Sequence, residues 1–105
     1  MLFGIKDIRR VLKEDNIQWS GHVLTRMQQR AIKVKDVIEC ILNGEIIEYY
    51  SSDHPFPSYL ISGICDNNKV LHVVCSLGEE NLWMITAYYP NTDEWLEDFK
   101  TRRRL

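Results

Sequence analysis

Two histidines in this chain lie where they could take part in general acid–base chemistry. His22 comes two residues after Ser20, a residue type that caps helices, so it falls in a first helical turn. There the free N–H groups and the helix dipole attract anions and favour a neutral imidazole, which can accept a proton. His72 lies inside an apolar run and points to one face of a predicted strand. Packing of His22 on Trp19 and hydrogen-bonded burial of His72 are the structural alternatives.

Arg26 and Arg30 continue the row that His22 begins on the predicted helix. At about 100° per residue the three side chains border the apolar face instead of occupying the outermost solvent-facing line. Like charges four residues apart repel by about 0.2–0.5 kcal/mol, a cost that a bound anion removes. The row therefore suits phosphate, although ion pairs with acidic residues from the middle of the chain also account for it.

Hydroxyl groups on the strand after His72 are the next candidates. Thr86 and Tyr88 are two residues apart and share one face of that strand. With a four-residue loop between the strands, His72 lies opposite Ala87; a loop one residue longer or shorter moves it opposite Thr86 or a near neighbour. The register is left open by the sequence.

Three other polar residues have weaker signals. Glu48 and Tyr50 share one face of the first predicted strand, where Glu48 could accept a proton, but polar residues are expected at a sheet edge in any case. His54 lies in a proline-braced connection and is assigned no role. The chain has no His/Cys/Asp/Glu set with metal-ligand spacing and no P-loop, G-x-S-x-G or dinucleotide motif. We expect neither a metal nor a cofactor.

The composition is that of one globular domain. The chain has 105 residues, of which 45% are hydrophobic and 27% charged, which excludes disorder and leaves no room for a second catalytic domain. Three widely spaced cysteines and the lack of an apolar leader or spanning segment favour a reduced, cytoplasmic protein away from membranes.

The net charge of -2 conceals a strong separation of charge along the chain. Residues 1–35 hold eight Lys and Arg against three acids, residues 36–98 hold one against twelve, and residues 99–105 add four basic residues. Basic ends can bind a polyanion despite the acidic middle, because association follows local fields.

The elements that must position these side chains follow from periodicity and turn residues. Helices are predicted at 4–14, 20–30 and 34–42, the last ending in a left-handed stop at Asn43 and Gly44. Strands are predicted at 45–50, 58–65, 69–76 and 82–89, and a closing helix at 93–99 docks Trp95 and Phe99. This order predicts an α+β fold, with N-terminal helices packed on a four-stranded, mainly antiparallel sheet and a short C-terminal helix.

Several ordered motifs together resemble a known family. They are Trp19-Ser20-Gly21-His22 with Arg26 and Arg30, Asp36-Val37-Ile38 through Asn43-Gly44-Glu45-Ile46-Ile47, Pro57-Ser58-Tyr59-Leu60, His72-Val73-Val74 and Thr86-Ala87-Tyr88-Tyr89-Pro90. Over about residues 19–98 the chain resembles the bacterial domain-of-unknown-function family numbered 4258. Lys33 departs from the pattern, which has a Ser or Thr helix cap at that place. The chain then divides into an N-terminal helix (1–18), a family-like core (19–98) and a basic tail (99–105) of a single domain.

The resemblance implies a function as well as a fold. The family is similar to the small toxin ribonucleases of the RelE, MqsR and barnase-like group, and the family's own genes often neighbour antitoxin-like genes. Its polar pattern falls on His22, Arg26, Arg30, His72, Thr86 and Tyr88.

The leading hypothesis is a toxin-type, metal-independent endoribonuclease that cleaves RNA through attack of a 2′-hydroxyl. His22, His72 and Tyr88 are the expected catalytic residues, and Arg26, Arg30 and Thr86 the expected substrate-binding residues. The expected partners are RNA and an antitoxin-like protein, and the oligomeric state is left open. A non-catalytic module that binds an antitoxin or another protein, and a small-anion or nucleotide-binding domain, are the alternatives on the same fold.

Overall fold

Three helices pack on one face of a five-stranded mixed sheet whose strand order is β1-β5-β4-β3-β2. The computed structural model describes residues 3–104. Its helices are α1 (Ile5–Lys13), α2 (Gly21–Gln29) and α3 (Val34–Asn43). Its strands are β1 (Ile17–Gln18), β2 (Glu45–Tyr50), β3 (Ser58–Ile64), β4 (Val70–Gly78) and β5 (Asn81–Tyr88).

The predicted sheet is wrong in strand number and type. A two-residue strand, β1, pairs parallel with β5 at Leu82 and Trp83, so the sheet has five strands and is mixed. Two residues are too few for a period-2 pattern to be seen in the sequence. The α+β class remains, with β2 through β5 pairing antiparallel in chain order.

The predicted C-terminal helix is also wrong, since residues 93–99 form turns and bends. The Asn91 side chain accepts hydrogen bonds from the backbone N–H groups of residues 93 and 94, and the Asp98 side chain accepts from those of residues 100 and 101. Such local side-chain bonds compete with a helical ladder. Phe99 has a φ of 54°, which also lies outside the helical region. Trp95 instead pairs with Arg102 in an isolated antiparallel bridge.

The core lies between the helices and the sheet. Ser20 Oγ accepts a hydrogen bond from the Val23 N–H at 3.1 Å, which confirms the predicted cap of α2. The apolar stripes of the three helices supply one side of this core: Ile8, Val11, Leu12, Val23, Met27, Val37, Cys40 and Ile41. The inward residues of the sheet supply the other: Tyr59, Ile61, Leu71, Val73, Cys75, Leu77, Leu82, Met84 and Ala87. Helices of nine or ten residues are too short to cross a bilayer, and none within residues 3–104 is suited to do so.

The end of α3 differs from the predicted left-handed stop. Gly44 has a φ of -89°, and no glycine in the described residues has a positive φ. The Asn43 side chain ends the helix by bonding both the N–H and the carbonyl of Ile64. Gly44 and Gly63 are needed because α3 comes close to β3, where a Cβ on either glycine would overlap the Cys40 carbonyl oxygen.

Gly63→Ala is therefore expected to destabilise the fold by about 1–3 kcal/mol, because α3 and β3 must move apart to admit a methyl group. The measurement is the free energy of unfolding from urea denaturation. Gly21→Ala is the control, since a Cβ at Gly21 meets no atom within 4 Å. Equal stability of the two variants would contradict the close approach.

Candidate functional site

The face of the sheet opposite the helices carries a group of polar side chains from β2, β4 and β5. We call Glu48, Tyr50, His72, Tyr88 and Arg102 the polar cluster. His72 pairs with Tyr88 across β4 and β5, and Arg102 reaches the sheet from the C-terminal residues that cover this face. The cluster thus combines a carboxylate, an imidazole, a guanidinium and two phenols.

His72 lies at the bottom of the cluster and is 0% exposed. Its Nε2 is 2.7 Å from the Phe99 carbonyl oxygen, which can only accept, so Nε2 carries the proton and donates it. Burial is the main cause that lowers the pKa of His72, so the imidazole is neutral and Nδ1 has a free lone pair. The Tyr88 hydroxyl, 3.2 Å away, therefore donates to Nδ1.

Glu48 is held in its charged form at the other side of the cluster. Arg102 donates to both carboxylate oxygens, from Nε at 2.7 Å and from Nη2 at 3.1 Å, and the Tyr50 hydroxyl donates as well. The Arg102 bonds are the largest cause that lowers the pKa of Glu48. Burial, followed by the bond to Glu48, raises the pKa of Tyr50 to about 12. At neutral pH the cluster holds an anionic carboxylate and protonated phenols.

The C-terminal residues 91–104 close the cluster from above. Trp95 is 2% exposed and packs edge-on against His72, with ring centroids 4.7 Å apart. The Arg102 guanidinium lies over the Trp95 ring at 4.5 Å from its centroid. His72 has no access to solvent, whereas Tyr88 is half-buried. A ligand on this face could reach the Tyr88 side chain but not the His72 ring.

Arg30 and Thr86 lie next to this cluster, at the outer edge of β5. Nη1 of Arg30 donates to the Thr86 hydroxyl at 3.2 Å and to the Ala87 carbonyl at 2.8 Å. Thr86 and Tyr88 share a face of β5, as predicted from their spacing. The structure therefore places four of the predicted site residues side by side: Arg30, Thr86, His72 and Tyr88.

His22 and Arg26 do not join them. Both side chains are exposed, and among residues 3–104 neither makes a hydrogen bond or an ion pair. Eight residues separate His22 from Arg30, about 12 Å along a helix. Arg30 lies past the last residue of α2, so its side chain turns onto β5 while the first turn stays in solvent. The predicted cationic row is divided between two surfaces.

Sequence reasoning missed how Glu48 and Arg102 meet, because 54 residues separate them. It also left the register open. Leu77 pairs with Leu82, as one alternative required, but a β-bulge after Val74 shifts the pairing so that His72 lies opposite Tyr88 instead of Ala87. For Glu48 and Tyr50 the only signal was the alternation of polar residues along β2, which sheet edges show anyway.

Metal ligands and thiols were the other groups considered for the site in the described part of the chain. Within residues 3–104 no group of three or more His, Cys, Asp or Glu side chains is placed to hold a metal ion. The three cysteines are free and buried. Burial raises the pKa of Cys40 and Cys75 to about 12 and that of Cys65 to about 11, so all three are protonated at neutral pH.

The buried imidazole makes stability depend on pH. Because the folded pKa of His72 is lower than its ordinary value of 6.5, the unfolded chain binds more protons just below that pH. The free energy of unfolding should fall as the pH drops from about 7 to about 5. Glu48 lowers the free energy of unfolding further, but only below the ordinary pKa of a glutamate, 4.5.

Urea denaturation at several pH values tests this dependence. His72→Gln should flatten the slope of unfolding free energy against pH between about 5 and 7, whereas the exposed-site control His22→Gln should keep that slope. Parallel slopes for parent and His72→Gln would contradict a buried neutral imidazole.

Residues 19–89 match the family described as Domain of unknown function (DUF4258), which is more than half of the chain. The chain belongs to this family. Glu48, Tyr50, His72 and Tyr88 of the DUF4258 protein lie inside the matched range, while Trp95 and Arg102 lie beyond it. No curated protein and no solved structure matches the chain significantly.

Proposed function

We propose that this DUF4258 protein is a metal-independent endoribonuclease of the toxin type, in which Tyr88 and His72 form a proton relay. The observation that carries the proposal is the hydrogen-bond chain from the Tyr88 hydroxyl to His72 Nδ1 and from His72 Nε2 to the Phe99 carbonyl. A nucleophile or base held by a second group, which is itself oriented by a third, is a recurrent arrangement for proton transfer. We propose RNA as the substrate because the family is similar to toxin ribonucleases.

The reaction transfers the phosphoryl group within the RNA chain. The ribose 2′-hydroxyl attacks the adjacent phosphorus, the O2′–P bond forms and the P–O5′ bond breaks. The 2′-hydroxyl proton passes to Tyr88 Oη while the Tyr88 proton moves to His72 Nδ1. The leaving 5′-oxygen is protonated by water, and His72 returns its proton to solvent through Tyr88. His72 is a positioning and relay residue here, because it is 0% exposed.

Arg30 is the guanidinium best placed to hold the phosphate. Among residues 3–104 its protein hydrogen bonds all come from Nη1, which leaves Nε and Nη2 for an anion. Donors placed where charge develops in the transition state commonly supply 2.7–4 kcal/mol or about 100- to 1000-fold in rate. Arg102 adds positive charge on the other side of Tyr88, although Glu48 already occupies two of its nitrogens. His22 and Arg26, on the exposed side of α2, bind RNA beyond the cleaved bond.

Cleavage of single-stranded RNA in EDTA tests the proposal. The purified chain should produce fragments with 2′,3′-cyclic phosphate and 5′-hydroxyl ends, because the 2′-oxygen is the nucleophile. An RNA with a 2′-O-methyl group at each position is the control and should stay intact. Uncut RNA together with a stoichiometric co-purifying protein would refute the nuclease and favour the partner-binding alternative.

A further inference from the structure

A groove of about 370 Å³ opens on the same sheet face as the polar cluster, but at the β4–β5 hairpin. Aromatic, apolar and polar side chains line it, including Phe56, Ser76, Glu79, Trp83 and Ile85. Its volume lies within the range of small-ligand sites, about 300–1000 Å³. None of these residues takes part in the proposed proton relay.

One wall of the groove is an aromatic pair that is held rigidly. Phe56 and Trp83 stack with ring centroids 6.3 Å apart and planes 29° apart. Both rings are anchored on Gly78: Trp83 Nε1 donates to the Gly78 carbonyl at 3.0 Å, and Phe56 packs so closely that a Cβ on Gly78 would overlap its ring. A wall that is already ordered loses little conformational entropy when a flat ligand stacks on it.

The rest of the groove offers apolar surface, the His54 side chain and one carboxylate. Ile85, the extra residue of the β5 bulge, is 42% exposed. Ser76 Oγ is 2.9 Å from Ser58 Oγ, so its hydroxyl is already occupied at the floor. Glu79 belongs to the hairpin turn, where its φ is 53°, and is one of the exposed residues that line the groove. A carboxylate only accepts hydrogen bonds, so it prefers a ligand edge with adjacent donors.

We infer that this groove binds an unstacked guanine base of single-stranded RNA. Bases with a free face stack on aromatic side chains, and guanine presents the adjacent N1–H and N2–H donors that a carboxylate can accept together. The base is neutral, so the acidic surroundings do not repel it. Its phosphate would lie along β5 toward Arg30 at Thr86, about 10 Å from Trp83. The inference rests on the proposed function and names its substrate as guanine-containing RNA.

Calorimetric titration of the full chain with guanosine and uridine 5′-monophosphate tests the inference. The guanine nucleotide should bind at least about tenfold more tightly than the uracil nucleotide, since a bidentate base contact contributes about 1–3 kcal/mol. Glu79→Gln should remove that preference. Glu80→Gln is the matched control, because Glu80 is its neighbour in the turn, has a similar φ of 62° and does not line the groove.

Trp83→Leu locates the site independently of the carboxylate. Loss of a stacking ring should weaken binding of both nucleotides by about 5- to 150-fold. Equal affinity for the two nucleotides in the parent, equal effects of Glu79→Gln and Glu80→Gln, or no effect of Trp83→Leu would each overturn the inference. A groove that takes a side chain of a partner protein would show no saturable nucleotide binding.

The two proposals fail separately. Nucleoside monophosphates contain no cleavable phosphodiester, so their binding does not depend on catalysis. Guanine binding without RNA cleavage in EDTA would refute the nuclease and retain the base site. Cleavage without guanine preference would retain the nuclease and refute the base site.

Discussion

Tyr88→Phe should lower the rate of RNA cleavage by about 100- to 10,000-fold, the contribution usual for one proton-transfer group. The substitution removes the hydroxyl that joins the substrate to His72 and keeps the ring that packs edge-on to the imidazole, with centroids 5.3 Å apart. The substitution should lower kcat and leave KM nearly unchanged. The hydroxyl takes part in proton transfer in the transition state and contributes little to binding of the substrate in the ground state. Initial rates on a single-stranded RNA in EDTA give the measurement.

Tyr89→Phe is the matched control for that prediction. Tyr89 follows Tyr88 in the chain, but it packs against the core on the helix side of the sheet, with Lys69 over its ring. Its hydroxyl faces away from the relay, so Tyr89→Phe should cleave RNA at the parent rate. If Tyr88→Phe also cleaved at that rate, the relay would be refuted, while the nuclease activity itself would stand.

Trp95→Ala should destabilise the protein by about 3–5 kcal/mol, the usual cost of truncating a large buried aromatic residue. Trp95 is 2% exposed, stacks under Arg102 and forms the cover over His72. Its removal leaves a cavity beside a buried imidazole and loosens the covering residues 91–104. Urea denaturation should show a clearly lower midpoint with a similar m-value.

Leu96→Ala provides the comparison, because Leu96 is the next residue and is 38% exposed. It should change stability by no more than about 0.5 kcal/mol, as surface substitutions commonly do. A Trp95→Ala variant as stable as Leu96→Ala would mean that the C-terminal residues do not pack on the sheet face in solution. His72 would then be open to solvent.

The sequence predicted those structural features that depend only on residues close together in the chain. The periodic apolar residues of α1, α2 and α3 and the Ser20 cap predicted the helices to within a residue or two. Short runs rich in β-branched and aromatic residues, separated by turn residues, located β2 through β5 in the same way. Each of these signals comes from neighbours along the chain, whose spacing alone determines which side is apolar.

The sequence did not predict features that depend on contacts with segments distant in the chain. β1 exists only because β5 offers it an edge, and the β5 bulge that sets His72 opposite Tyr88 leaves no mark on the residue pattern. At the C-terminus, the spacing of Trp95 and Phe99 predicted a helix. The structure has turns there instead, because the side chains of Asn91 and Asp98 bond nearby backbone N–H groups.

The sequence by itself determined the α+β class, the positions of the helices and four of the strands, and membership of the DUF4258 family over residues 19–89. Only the tertiary structure decided which polar groups meet: it separated His22 and Arg26 from His72, joined Arg30 to Thr86, and brought Arg102 to Glu48 across 54 residues. The physical reason is that periodicity reports the direction of a side chain from its own element. The register between strands and the path of the chain across the sheet depend on packing between elements.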